Sequence, residues 1–492
     1  MGDTLSVSAG AQSPPARPSR LGQLSQSLGS IAGPIPLVRV GGRVSEVTAS
    51  YIRAKGLAQQ VQLGSCVEIE SGSGAGLGEI IGIQPDSVTI KLYAAGLRVG
   101  LGSRVWLRDE LVIRPNATWL GRVVDALGQP IDGRGPLAQG PLSRSIDSAP
   151  LGPLAMDRVR DPVATGVRAI DLFTPLCTGQ RIGIFAGSGV GKSTLIAMLT
   201  RSTSFKTIVV ALVAERAREV REFLEDVLLP SSARAVTVVA TSSDSAMMRK
   251  LSAKTAMTVA EHFRDQGDDV LLVVDSVTRF AHAMREVALA AGEAPVARGY
   301  PPSVFAELPR LLERAGPGLP SAGSITGVFS VLVDGDDHNE PIADAVRGIL
   351  DGHIVLNRGI ADQGRYPAID PLTSLSRLAS LAWNKDQAQL VRRLRSLISR
   401  YEDTKELRTL GAYKPGVDHE LDQAVTLAPL IYQLVTQSPD DPPCARIFDE
   451  LATMLTELRA REATRAQDER KPKPAETAVA ARPGPPRQVA AK

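Results

Sequence analysis

The chain has 492 residues, 43% hydrophobic and 22% charged, with a formal net charge of +3. That is the composition of a soluble globular protein of two or three domains with at least one large core. The near-balanced charge excludes a whole-molecule basic field for nucleic acid, and an aromatic content of 4% leaves few platforms for stacking bases. Cys66, Cys177 and Cys444 are odd in number and far apart. They form neither a metal spacing nor a disulfide framework, and a reducing cytoplasm suits them. No basic start followed by an apolar run opens the chain, and no apolar stretch approaches the ~20 residues of a membrane helix. The expected compartment is the cytoplasm.

Residues 1–33 are rich in Ser, Gly, Pro and Ala, and the first twenty are expected to be disordered. Leu21, Leu24, Leu28 and Ile31 recur at helical spacing. A frayed tail and a short amphipathic helix both fit; such a helix is marginal alone and needs a partner to dock it. Arg17 and Arg20 beside it would also suit an acidic lipid surface. Residues 34–108 change to short alternating runs with glycine turns (LVRVGGRVSEV, SCVEIES, GEIIGIQ, SVTIKLY, SRVWLRD), which predicts a small β-barrel. A Gly- and Pro-rich connector over 109–160 leads into alternating strands and helices that end near 383. The runs at 207–213, 235–241, 269–275, 325–335 and 353–357 are almost continuously apolar, as in a parallel sheet covered on both faces. Residues 384–466 read as helical, and 467–492, rich in Pro, Ala and charge, as a passive solvated tail.

The most informative segment is RIGIFAGSGVGKSTL, Arg181 to Leu195. An apolar strand, a glycine turn and a helix start present successive backbone N–H groups to an anion. Gly187, Ser188, Gly189, Val190, Gly191, Lys192, Ser193 and Thr194 would form this phosphate cradle. Lys192 would reach the terminal phosphates and the Ser193 hydroxyl a Mg²⁺ ion. The first position of the strict pattern is Ala186 rather than glycine. Asp275 ends the apolar run DVLLVVD downstream of the loop, where a carboxylate can hold Mg²⁺ through water. Glu215 follows the strand TIVVALV at the same edge. It fits a water-orienting carboxylate and equally a glutamate opening a charged surface helix.

The combination AGSGVGKST, AERAREV, VVDSVTRFA, RGYPPSVFAELPRLLERAG, VDGDDHNEPIADAVRGILDGHIVLNR and GRYPAIDPLTSLSR resembles the catalytic subunits of rotary ATPases. More closely, it resembles their relatives that energise type III protein secretion. The resemblance runs in unbroken order over roughly residues 34–465. It implies an N-terminal β-barrel (34–108), a RecA-like α/β P-loop ATP-binding domain with its connector (109–383) and a C-terminal helical domain (384–466). It implies Lys192 and Ser193 on phosphates and Mg²⁺, Glu215 as the catalytic carboxylate and Asp275 on the magnesium side. Arg377 matches the arginine inserted into a neighbouring subunit's site, where it neutralises charge on the transferred phosphoryl group. Tyr366 aligns with an aromatic packing on adenine, Tyr413 is a weaker candidate for that pocket, and Arg216 and Arg279 rank below Glu215 in the charge network. The family's usual glycine before the catalytic glutamate is Ala214 here.

Glu215 and Arg377 on one polypeptide argue for a homohexamer rather than an alternating hetero-ring. A ring-shaped RNA motor fits least, since 34–108 offers mainly Tyr51, Tyr93 and Trp106 without a dense basic cluster. DGDDHNEPIADAVRGILDGHIVLNR and LGAYKPGVDHELDQAV resemble the export ATPases more than a rotary ATP synthase subunit, and the flagellar export member more than the injectisome one. The resemblance implies Mg-ATP hydrolysis that releases export substrates from chaperones and feeds them to a membrane gate. It also implies a stator-like regulatory protein at the N-terminus and a peripheral place at the cytoplasmic face of the inner membrane.

Overall fold

The computed structural model describes residues 38–72, 74–94, 96–159, 161–333, 340–444, 446–469 and 484. The expected amphipathic segment with Leu21, Leu24, Leu28 and Ile31, and all of the expected tail but 467–469 and 484, lie outside them. Two compact units are present. The described part of the first spans 38–91 and 97–109; the second takes 92–96 and everything from 110 onward.

The first unit is a closed antiparallel barrel of six strands: β1 (Gly41–Val47), β2 (Ile52–Lys55), β3 (Cys66–Ser71), β4 (Gly74–Gln84), β5 (Ser87–Leu92) and β6 (Arg104–Leu107), in the order β1-β2-β5-β4-β3-β6. Val44, Ile52, Ala54, Val67, Ile69, Ile80, Val88, Ile90 and Val105 are buried, the alternate side chains that period-two strands turn to one face. Gly42 sits where β1 meets β2 so closely that a Cβ would lie 2.2 Å from the Lys55 carbonyl oxygen. The sequence reading missed β2, whose four residues IRAK show too little alternation to register.

The second unit is built on a twisted sheet with eight strands along its main path. They are β7 (Val123–Asp125), β8 (Arg181–Ala186), β9 (Thr207–Glu215), β10 (Ala235–Thr241), β11 (Asp269–Asp275), β12 (Ser324–Leu332), β13 (Gly352–Leu356) and β14 (Leu375–Ser376). Their order is β14-β13-β8-β12-β11-β9-β10-β7. Every pair is parallel except β13 with β14. The expected apolar strands therefore form the middle of this sheet. β8, β9, β10, β11 and β12 are buried almost throughout, which is why their sequences run apolar without alternation.

Helix α1 (Lys192–Thr200) buries Leu195, Ile196, Met198 and Leu199, and α2 (Ala246–Asp265) packs on β9, β10 and β11. The Arg314 guanidinium is held in the interior by both oxygens of Glu261 (2.8 and 2.9 Å), by Thr258 Oγ1 and by the Ile146 carbonyl. This pins the connector to α2, and truncating either charge would leave the other buried and unpaired. Helices α3 (Val277–Ala291), α4 (Pro302–Leu312) and α5 (Pro341–Ile349) follow.

The C-terminal part is helical: α6 (Lys385–Asp403), α7 (His419–Val435) and α8 (Ile447–Glu469). Asn384 and Gln387 form a capping box that starts α6. Val391, Leu394, Leu397 and Ile398 then share its buried face at i, i+3, i+6 and i+7. Burying each is worth roughly 1.5–3 kcal/mol, and α6 packs along α7. Helix α8 continues to Glu469, past the expected end at 466.

Candidate active site

In a parallel sheet all strands deliver their C-terminal ends to one edge, and ligands bind there. Ala186, Glu215, Asp275 and Leu356 end β8, β9, β11 and β13 at that edge. The turn leaving β8 is shaped by Gly189 (φ +78°) and Gly191 (φ +96°), left-handed positions that an L side chain enters only at a cost. The first helical bond of α1 is Leu195 N–H to the Gly191 carbonyl at 3.0 Å. Among the described residues the N–H groups of Gly189, Val190, Gly191 and Lys192 find no protein acceptor. Val190 is buried and anchors the turn from below, while Ser188, Gly189 and Ser193 are exposed. A row of unspent donors at a helix N-terminus is an anion cradle.

Lys192 lays its ammonium on Asp275 Oδ1. That same oxygen accepts from Ser330 Oγ at 2.7 Å, and Asp275 is only 3% exposed. One strand away, Glu215 is 8% exposed and pairs with Arg279 of α3. Burial pushes the Glu215 carboxyl up from its ordinary range and the Arg279 guanidinium pulls against that. A proton shared with Glu219 and the charge of Asp275 add to the rise. Accepting that proton holds Glu219 below its ordinary value. Glu215 projects here because β9 carries a bulge: Val213 opposes Ala240 and Glu215 opposes Thr241, with Ala214 between them at φ +55°.

Tyr366 stands beside the cradle. A Cβ on Gly191 would lie 3.4 Å from its ring, and the ring is 39% exposed, an open aromatic face next to the phosphate turn. Arg216 is exposed and lies 3.7 Å from Glu219, outside the Glu215–Arg279 pair. Tyr413 donates to Asp422 of α7 at 2.7 Å, and no contact with Tyr366 or the cradle is found among the described residues. Arg377 follows β14. Ser376 opposes Gly352 at the start of β13, whereas Ala186 opposes Leu356 at its end. At ~3.3 Å per residue the backbone of Arg377, which bonds Asp351, is on the order of 16 Å along the strands from the cradle's edge. Its side chain is exposed, with no partner among the described residues.

Sequence reasoning missed three groups here. Arg358, in the turn after β13, donates to the Ser188 carbonyl at 2.9 Å and so holds a cradle peptide from the side. Glu219 sits one helical turn beyond Glu215 and was hidden among the charges of ERAREVREFLED. Gln437, 2% exposed, donates its backbone N–H to the Tyr366 carbonyl (2.8 Å) and its amide to Gly166 (2.9 Å). The helical region thereby fixes the segment that carries the tyrosine. The AGSGVGKST pattern points to none of these; only the pairing of β8 with β13 brings Arg358 to the loop.

Comparison with known proteins agrees with this geometry. Residues 166–376 match the ATP synthase alpha/beta family, nucleotide-binding domain, and residues 383–456 match the T3SS EscN ATPase C-terminal domain. The flagellum-specific ATP synthase of Agrobacterium fabrum is 52% identical over 436 residues, covering 89% of this chain and 92% of the relative. The type 3 secretion system ATPase of Xanthomonas euvesicatoria is 42% identical, covering 85% and 94%. The assembled ATPase EscN of the enteropathogenic E. coli type III secretion system superposes with a TM-score of 0.79 at 40% identity, covering 84% of this chain and 99% of EscN. The chain belongs to the ATP synthase alpha/beta family, in the branch of the flagellum-specific ATP synthases and type III secretion ATPases.

Proposed function

We propose that this chain is the ATP hydrolase that energises type III protein export for flagellar assembly, working as a homohexamer with its sites at subunit interfaces. The observation that carries the reading is the division of the machinery between two edges of one sheet. Lys192, Asp275 and Glu215 gather at the C-terminal edge, and Arg377, without a partner among the described residues, is offered at the opposite one. One copy then has a phosphate cradle without its arginine and an arginine without a phosphate. The flagellum-specific relatives of Agrobacterium fabrum and Rhizobium meliloti, at 52% and 51% identity, share more of the sequence than the secretion ATPase of Xanthomonas at 42%, which favours flagellar over injectisome export.

In this mechanism the turn's N–H groups and Lys192 bind the β- and γ-phosphates. Ser193 and Asp275 fit a magnesium ion: one is an exposed hydroxyl in the first turn of α1, the other a buried carboxylate facing the Lys192 ammonium. Mg²⁺, when bound, draws charge from the phosphate oxygens. Glu215 orients the attacking water and takes its hydrogen bond in the ionised form, while Arg279 keeps that carboxylate in place. The neighbouring copy's Arg377 neutralises charge on the departing phosphoryl group. Tyr366 offers its open face to the base. Tyr413, held by Asp422, serves that pocket only if the loop carrying it moves.

EscN has been solved assembled, and in complex with its central stalk EscO; a ring and a stalk- or stator-like regulator are proposed for this chain on that likeness. Export substrates, their chaperones and a membrane gate at the cytoplasmic face complete the proposal. No described helix is long and apolar enough to cross a membrane, so attachment there would be peripheral. The test is Glu215→Gln: Mg-ATP binding should persist while turnover falls by roughly 10²–10⁴. Turnover near wild type would remove Glu215 from the water-orienting role.

A further inference from the structure

Arg377 has a side chain with no partner among the described residues, on a tightly held backbone, and what holds that backbone is traceable atom by atom. Its N–H donates to the Asp351 carbonyl at 2.9 Å, and the Asp351 N–H donates to the Arg181 carbonyl at 2.9 Å. The Asp351 carboxylate turns back onto the same arginine, accepting from Arg181 N–H (3.0 Å), Nε (3.2 Å) and Nη2 (3.4 Å). Beneath it lies Gln180, fully buried. Its Nε2 donates to Ser376 Oγ at 3.0 Å and to the Asp351 carbonyl at 3.4 Å, and its Oε1 accepts the Cys177 N–H at 2.9 Å. A buried amide is retained when each of its polar atoms has a partner, and here those partners are the residue before Arg377 and the carbonyl that holds Arg377.

We propose that Asp351 and Gln180 are positioning residues that aim Arg377 at the adjoining subunit. The proposal rests on the reading of Arg377 as an arginine supplied in trans. An exposed arginine on a loose edge would sample many directions, and transition-state stabilisation needs a donor already in place. The Arg181–Asp351–Arg377 ladder supplies that order without spending the guanidinium. The seat stands at the start of β8, the strand whose other end, six residues on, becomes the phosphate turn. One strand therefore carries a subunit's own cradle at one end and, at the other, the seat of the arginine offered to the next subunit.

Mixed rings isolate the effect. Lys192→Ala chains donate Arg377 but cannot turn over; Arg377→Ala chains keep a complete cradle but lack the arginine. In a random 1:1 ring about one quarter of interfaces pair a competent cradle with a donor arginine, and hydrolysis should return to that level. Adding Asp351→Asn to the Lys192→Ala donor should cut the restored hydrolysis about tenfold. Added to the Arg377→Ala acceptor, where no arginine remains to aim, it should cost less than a further twofold. Ser376→Ala, a milder change at the Gln180 contact, should reproduce the same asymmetry at smaller size. Ring formation is checked for each mixture by mass. Equal losses in both arms, or none in either, would overturn the positioning role. Failure of the unmodified Lys192→Ala donor to restore anything in rings shown to form would instead overturn the trans reading itself, and the positioning role with it.

Discussion

Ala214 is the residue on which the position of Glu215 turns. It occupies the left-handed region at φ +55° inside the β9 bulge, where an L side chain costs roughly 1–2 kcal/mol. Glycine removes that cost but enlarges the unfolded ensemble, returning about 0.5–1 kcal/mol. Ala214→Gly should thus stabilise the second unit by about 0.5–1 kcal/mol. It should leave kcat within twofold, because the bulge and the direction of Glu215 are kept. Ala214→Val does the opposite. A β-branched residue at positive φ is a severe outlier, so the bulge must flatten. Removing one residue from the register turns Glu215 to the other face of the sheet, away from Asp275 and Arg279. Turnover should then fall into the range expected for loss of a positioned base, ~10²-fold or more. Urea unfolding of nucleotide-free protein gives the first quantity and steady-state phosphate release the second. A glycine variant less stable than the parent, or a valine variant with parental kcat, would show that the bulge does not set the carboxylate.

Two further outcomes concern groups around the cradle. Arg358→Gln should raise the KM for ATP about tenfold with kcat changed less than threefold, since Arg358 holds the Ser188 peptide rather than the reacting water; Arg358→Lys should recover part of the loss, and titrations of ATP binding and turnover separate the two effects. Glu219→Gln should move the acid limb of the kcat/KM profile to lower pH. Glu219 shares the proton that helps raise Glu215, whereas an amide donates to the ionised carboxylate and favours it. An unmoved limb would place the essential ionisation elsewhere.

How much of this was legible in the sequence depends on the range of the forces that set each feature. The sheet was readable because strands buried on both faces must be apolar throughout, and 207–213, 235–241 and 269–275 are. Asp275 and Glu215 could be placed because parallel strands send every C-terminal end to one edge, so a polar residue ending an apolar run is already located; Lys192 was located by its glycine turn and helix start. β2 was not, being too short to show a period. Arg358 and Gln437 were not, because their partners are cradle and tyrosine backbone groups far along the chain, and a hydrogen bond to a carbonyl leaves no mark on the partner's side chain. Ala214 lies between these cases. The resemblance marks it as a departure from glycine, but only φ +55° shows that alanine here takes a left-handed conformation that glycine enters freely. Arg377 required both kinds of information. Its sequence suggests an arginine for another subunit, and the antiparallel pairing of β14 with β13 puts it at the wrong edge to serve its own. An arginine with no partner among the described residues, seated on the Arg181–Asp351 ladder, has the geometry that the proposed donation to a neighbour requires.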